Sequence, residues 1–237
     1  MQIDKIFPTA IGLAHCEDHQ TLKQCFAKSA MKHVDASGYT GEGYGYMHLQ
    51  QDESLKPIFQ FVCDNVKEYL FQHGIDKDRF AINVMKCWMH VILNGDTMPH
   101  IHSESHYSFV YYVNIPKSDK AKKQLVLQNT HSSLNRTSPN EPFAGMFSNN
   151  TDVINDINCY SKKYDVNEGD LILFPSFIRH STETDGVYNG ERKEMPSKNI
   201  NDLLSKRVCI AGDIILTYAN KEPRFVGLQP PETWRAF

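Results

Sequence analysis

The sequence predicts a mainly β fold with flanking helices, a sandwich or jelly roll that carries its helices on one face. Three observations predict it. From about residue 80 the chain runs in short segments rich in β-branched and aromatic residues. Turn sequences such as Asn94-Gly95-Asp96 and Asn167-Glu168-Gly169 punctuate those segments. The first 79 residues carry helical spacing instead. Strands in series, with helices gathered ahead of them, are expected to pack as layers around a common core.

Taken in order, the elements begin with a short strand over 3–11. Asp18 can cap a helix over about 20–34. A stronger helix over 55–73 places Phe59, Val62, Val66, Tyr69 and Leu70 at helical spacing. Pro57 lies in its first turn, where proline is tolerated, and Gly74 stops it. Strands follow at 81–93, 100–102, 108–115, 124–128, 159–164, 171–174 and 207–219. Two long polar insertions, 129–158 and 181–206, interrupt the β region. Each reads either as a lid near a site or as a tolerated surface insertion. No internal repeat or low-complexity tract is visible. One domain over 1–237 is expected, with 1–79 as helical support and 80–237 as a β core.

Composition narrows the class. The chain has 237 residues, and its 41% hydrophobic content can fill a core. A formal charge of −3 without a long basic run gives no footprint for nucleic acid. No apolar run approaches the roughly 18 residues of a membrane helix. Cys16, Cys25, Cys63, Cys87, Cys159 and Cys209 are scattered without a Cys-x-x-Cys pair, and no secretory leader precedes Phe7-Pro8-Thr9. Reduced thiols in a soluble, cytoplasmic protein are therefore expected. In that compartment Asn135-Arg136-Thr137 and Asn149-Asn150-Thr151 are ordinary loop sequence rather than glycosylation sites. Oligomeric state is not written in these features.

The chemistry-bearing residues are histidines. In an extended strand, residues two apart point to one side, so His100 and His102 can offer imidazoles to one ion while Ile101 packs behind them. A distant His180 follows a buried strand, Leu171-Ile172-Leu173-Phe174, and a turn at Pro175-Ser176, which can deliver it to the same place. Neutral imidazoles suit iron, zinc, copper and nickel alike. His102-Ser103-Glu104 is also a His-x-Glu pattern, so Glu104 is an alternative ligand. His90 and His106 read as neighbours of the site or as surface residues. His15, His19, His33, His48, His73 and His131 are given ordinary structural roles, and Trp88 a place in the core.

Several of these stretches occur together in one family. Pro99-His100-Ile101-His102 followed by Ser108-Phe109-Val110-Tyr111-Tyr112-Val113 resembles the His-x-His and Ser-Gly-Val-Tyr-Tyr-Val stretch of a group of 2-oxoglutarate/Fe(II) oxygenases related to prolyl hydroxylases. The likeness continues in Gly169-Asp170-Leu171-Ile172-Leu173-Phe174-Pro175-Ser176 ending at His180, in Arg207-Val208-Cys209-Ile210-Ala211, and in the opening Ile6-Phe7-Pro8-Thr9-Ala10-Ile11. The resemblance implies a double-stranded β-helix, a cupin-like jelly roll whose open end holds Fe(II). His100, His102 and His180 are the implied ligands, with His102 in the slot that a carboxylate fills in the wider superfamily. Residues 181–206 separate His180 from Arg207, more than relatives usually show.

Arg207 is the implied clamp for the distal carboxylate of 2-oxoglutarate, because a guanidinium offers a bidentate, permanent charge. Cys209 and Ala211 share its face of a strand. Arg192 lies nearer His180 but in a charged loop sequence. Tyr111 inherits by analogy a hydrogen bond to the same carboxylate. The implied cofactors are Fe(II), 2-oxoglutarate as cosubstrate and molecular oxygen. The implied reaction is hydroxylation of a small molecule or a peptide side chain. Two other readings stay open: a cupin-type metal dioxygenase without 2-oxoglutarate, and a noncatalytic jelly-roll binding module.

Overall fold

A computed structural model describes residues 9–37, 48–92, 97–116, 124–128, 161–183, 199–220 and 227–235. Among them, nine strands form two antiparallel sheets. The elements are β1 (Gly12–His15), α1 (His19–Ser37), α2 (Lys56–Gln72), β2 (Phe80–Ile92), β3 (Thr97–His100), β4 (Tyr107–Asn114), β5 (Gln124–Gln128), β6 (Ser161–Tyr164), β7 (Asp170–Pro175), β8 (Arg179–Glu183), α3 (Ile200–Leu203) and β9 (Arg207–Tyr218). The larger sheet runs β1-β7-β4-β9-β2 and the smaller β3-β8-β5-β6.

The helices form where the spacing places apolar side chains on one stripe. Leu22, Phe26 and Ala30 of α1 are buried, as are Ile58, Val62, Val66 and Leu70 of α2. Thr21 donates through its hydroxyl to the Asp18 carboxylate at the start of α1, 2.7 Å away, and the Asp18 carbonyl accepts from Leu22 N. At the end of α2, Gly74 takes a left-handed φ of 77°. Its N–H and that of Ile75 donate to Phe71 and Leu70 carbonyls. The carboxylate of Asp52 gathers Ser29 of α1, Ser54 and His33. Against the upward push of burial, these hydrogen bonds hold it well below the usual carboxylate range.

The larger sheet is covered on both faces. On the helix side, Phe109, Tyr111 and Val113 of β4, Leu171 and Leu173 of β7, and Val208, Ile210 and Ile214 of β9 join the apolar stripes of α1 and α2 in one core. On the other side, Val110, Tyr112, Ile172, Phe174 and Cys209 pack with Leu125 and Leu127 of β5 in a second core between the sheets. The period-two alternation of a strand puts adjacent residues of β4 into different cores.

Several expectations move. The strand expected over 3–11 is seen as β1 at Gly12–His15, and residues 3–8 of that range lie outside those described. The strand expected over 100–102 is Thr97–His100, so His102 stands beyond the strand end. β8, at Arg179–Glu183, takes the start of the expected 181–206 insertion. Its sequence, RHSTE, carries no apolar strand signal, and pairing with both β3 and β5 holds it. The same insertion contains α3, capped by the Asn199 side chain. The insertion at 129–158, the turn at 94–96 and residues 159–160 lie outside the described residues.

Gly212 of β9 has no room for a side chain: a Cβ there would stand 2.7 Å from Phe109 Cε1 and 2.9 Å from the Lys86 carbonyl. Gly212→Ala is therefore expected to cost about 1–3 kcal/mol through overpacking. Urea unfolding should show a lower midpoint with an unchanged m-value.

Candidate metal centre and adjoining cavity

Two strand ends and a loop build the histidine cluster. His100 closes β3 and His180 lies in β8, and the two are direct cross-strand partners in the antiparallel register. Partners opposite each other project to one face, which explains how a residue 80 positions away reaches the first histidine. His102 follows in the loop, where its N–H donates to the Ser176 carbonyl at 3.0 Å. The ring nitrogens available for ligation in His100, His102 and His180 all lie within 4.8 Å of one another. Ring centroids are 4.3 Å apart for His100 and His180, and 5.1 Å for each pair with His102.

Hydrogen bonds turn the rings. His180 Nδ1 donates to the Ile178 carbonyl at 3.0 Å, leaving Nε2 for the cluster. Burial, with the neighbouring His100, pulls the His180 pKa down to about 3, so the ring is neutral near pH 7, the form that binds metals. His102 Nδ1 donates to Asp213 Oδ1 at 2.5 Å. Asp213 is fully buried on β9 and also accepts from Ser108 Oγ at 2.8 Å, while Lys86 Nζ stands 3.2 Å from its second oxygen. Burial alone would raise its pKa. The hydrogen bonds from His102 and Ser108, with the Lys86 charge, outweigh that and hold the carboxyl below the usual range.

Beside the cluster lies a cavity of about 370 Å³ between the sheets. Arg207, Cys209 and Ala211 of β9 line it in a row, as the strand's alternation predicts. Arg207 is 2% exposed, and its guanidinium stands over the Tyr112 ring at 5.1 Å. Arg207 Nε and Tyr112 Oη are buried and have no hydrogen-bond partner among the described residues. Burial pushes the Tyr112 phenol up, so it stays a neutral donor. His90 lines the cavity between Thr97 Oγ1 at 3.2 Å and the Cys209 thiol at 3.8 Å.

Other expected residues land elsewhere. Tyr111 does not reach the cavity. Its hydroxyl is 2.9 Å from His19 Nδ1 in the core on the helix side, because it neighbours Tyr112 on a strand and must point the other way. Glu104 is 71% exposed, meets Lys86 at 3.5 Å and stands outside the histidine cluster. Trp88 is not in the core: it is a half-buried wall of the cavity, 5.7 Å from the His102 ring. His106 leaves the site and accepts the Leu216 N–H. Of the six histidines given structural roles, His15 meets Asp170, His19 Tyr111, His33 Asp52 and His73 the Tyr69 carbonyl. His48 bridges to Cys87 in backbone pairing, and His131 lies outside the described residues. Arg192 is also outside them.

Asp213, Ser108, Tyr112 and Lys86 also stand at the cluster and cavity, beyond the residues that the sequence pattern singles out. The signal for Asp213 was present, since it continues the series 207, 209, 211 on one strand face.

Residues 86–193 match a family model described as "Putative 2OG-Fe(II) oxygenase". This stretch, which holds the three histidines, resembles that family and spans less than half of the chain. Iron(II) and 2-oxoglutarate are the cofactor pair of such oxygenases. No curated protein matches the sequence. Among solved structures, the chain is similar to the non-heme alpha ketoglutarate dependent epimerase SnoN from nogalamycin biosynthesis. The identity is 10%, covering 91% of this chain and 84% of that one, with a TM-score of 0.50. It is also similar to the apo form of the non-heme monooxygenase ThoJ, at 10% identity over 94% and 82% of the two chains and a TM-score of 0.51. A Pseudomonas putida prolyl-4-hydroxylase matches at 10% identity over 87% and 88%, with a TM-score of 0.48. At such identity the likeness to the first two is one of fold: the two sheets of this chain form a double-stranded β-helix. Among the described residues, no helix is long and apolar enough to cross a membrane.

The donor set suits a borderline metal such as iron(II), and the orphaned Arg207 and Tyr112 donors suit a carboxylate. Burial first, then the Arg207 charge, pulls the His90 pKa down from 6.5 to about 3. As pH falls, the unfolded chain takes up this proton before the native one does. Native stability is thus intact above about 6.5 and lost progressively toward 3. Urea unfolding of the metal-free protein across this window should decline less steeply for His90→Gln, by about 1.4 kcal/mol per pH unit.

Proposed function

We propose that the protein is an Fe(II)- and 2-oxoglutarate-dependent dioxygenase that hydroxylates a small molecule or a peptide side chain. One observation carries the reading: a three-histidine cluster shares a cavity with the buried Arg207 and Tyr112, whose Nε and Oη have no hydrogen-bond partner among the described residues. Leaving such groups unpaired costs about 1–3 kcal/mol each, and a carboxylate between them removes that cost. His100, His102 and His180 would hold the metal through neutral imidazole nitrogens. Arg207 would bind the distal carboxylate of 2-oxoglutarate, assisted by the Tyr112 hydroxyl.

When bound, Fe(II) with 2-oxoglutarate and O₂ supplies the oxidising chemistry, in which the cosubstrate loses carbon dioxide to become succinate and one oxygen atom passes to a substrate carbon. The protein's own part is placement. Arg207 and Tyr112 orient the cosubstrate from the deep end, where the permanent charge needs no proton transfer to act. Phe174 and Leu125 keep the floor of the cavity apolar and limit water. Trp88 and Lys86 flank the histidines and offer the substrate an aromatic face beside a cation. The cavity is large enough for a small diacid together with a substrate side chain, within the usual range for ligand sites.

Anaerobic titration of 2-oxoglutarate into Fe(II)-loaded protein should develop the visible metal-to-ligand band of the chelate. Arg207→Ala should weaken 2-oxoglutarate binding by at least about tenfold, consistent with loss of a charge-assisted hydrogen bond worth ~1.5–3 kcal/mol. His180→Ala should abolish the band. Fe(II) uptake without any response to 2-oxoglutarate would point instead to a cupin-type dioxygenase, and no Fe(II) uptake to a binding module.

A further inference from the structure

The mechanism above gives no task to the buried carboxylate behind His102. Asp213 is 0% exposed; its Oδ1 accepts from His102 Nδ1 at 2.5 Å and Ser108 Oγ at 2.8 Å, and its Oδ2 forms an ion pair with Lys86 Nζ at 3.2 Å. Lys86 in turn reaches the exposed Glu104 at 3.5 Å. A chain of alternating charge therefore runs from the histidine cluster through Asp213 and Lys86 to the surface. Glu104 stands at its outer end rather than at the metal.

The donor set gives this chain a purpose. Three neutral imidazoles bring no negative charge to a divalent ion, whereas two histidines and a carboxylate bring one. We propose that Asp213 is a positioning residue that holds His102 as a metal ligand and supplies, through its hydrogen bond to Nδ1, the negative charge that the three-histidine set lacks. With Nδ1 donating to the carboxylate, the Nε2 lone pair is the one aimed at the cluster. A carboxylate acceptor also makes that nitrogen a stronger donor to the metal. Ser108 and Lys86 fix the carboxylate so that it cannot swing toward the ion itself. Lys86 also withdraws part of its charge, which sets how much reaches His102. The inference rests on the metal reading proposed above.

Co(II) titration of the full-length metal-free protein, followed by visible ligand-field absorption, tests it with wild type, Asp213→Asn and Lys86→Met. Asparagine has the same shape and can still accept from Nδ1, but it carries no charge. Its Co(II) affinity should fall about 10- to 100-fold, with an altered band. Lys86→Met leaves the Asp213 charge to His102 alone and should tighten Co(II) binding, a change of opposite sign that a merely structural tie would not produce. Wild-type affinity and band in Asp213→Asn would overturn the proposal. Should that variant fail to fold, Lys86→Met decides, and unchanged or weakened Co(II) binding there overturns it. Wild-type protein that takes up no Co(II) refutes the three-histidine reading itself, and this proposal with it.

Discussion

The antiparallel pairing of β4 with β9 decides which side chains face the cavity and which face the helices, and the site follows from that choice. Val110 lies opposite Ala211, and Tyr112 opposite Cys209. Because a strand alternates, Arg207, Cys209, Ala211 and Asp213 then share one face, while Val208, Ile210 and Ile214 enter the helix-side core. A slip of one residue would exchange the two sets, burying Asp213 and Arg207 against apolar helices without partners. The register is held by burial on both faces, which makes that exchange prohibitive.

The histidine cluster is built across a seam. His100 and His180 come from the smaller sheet, where their register makes them partners. His102 leaves that sheet and is tied through Asp213 to β9 of the larger one. The histidine face thus depends on the distance between two sheets, which the core of Leu125, Leu127, Tyr112 and Phe174 maintains. Electrostatics reinforces the arrangement. A buried carboxylate survives as an anion because two hydrogen-bond donors and the Lys86 charge surround it, and the buried Arg207 is accommodated beside an aromatic face. Such groups are placed at the cost of stability, which is the usual mark of a functional cavity.

Much of the fold was legible along the chain. α2 is written in its apolar spacing and in Pro57 and Gly74, and β4, β5, β7 and β9 in runs of branched and aromatic residues. β8 was not legible, since Arg179-His180-Ser181-Thr182-Glu183 is polar and is a strand because two neighbours hydrogen-bond to it. Within the site, Tyr111 and Tyr112 show the limit. Two adjacent tyrosines in a strand point to opposite faces, and nothing local says which face is the cavity. Trp88 shows it again, for an aromatic residue beside Cys87 and Met89 looks like core, yet those neighbours face the helices and Trp88 faces the histidines.

By itself, then, the sequence determined most of the elements and the candidate ligand types: period-two and helical spacing are local properties, and three histidines in a family pattern carry their chemistry wherever they lie. Only the tertiary structure decided which residues share a face, because facing depends on register and on which sheet covers which. It brought His180 to His100, left Glu104 at the surface, turned Tyr111 away in favour of Tyr112, and set Asp213 behind His102. Each of these is a relation between residues far apart in the chain, settled by the burial of two cores rather than by any neighbour in sequence.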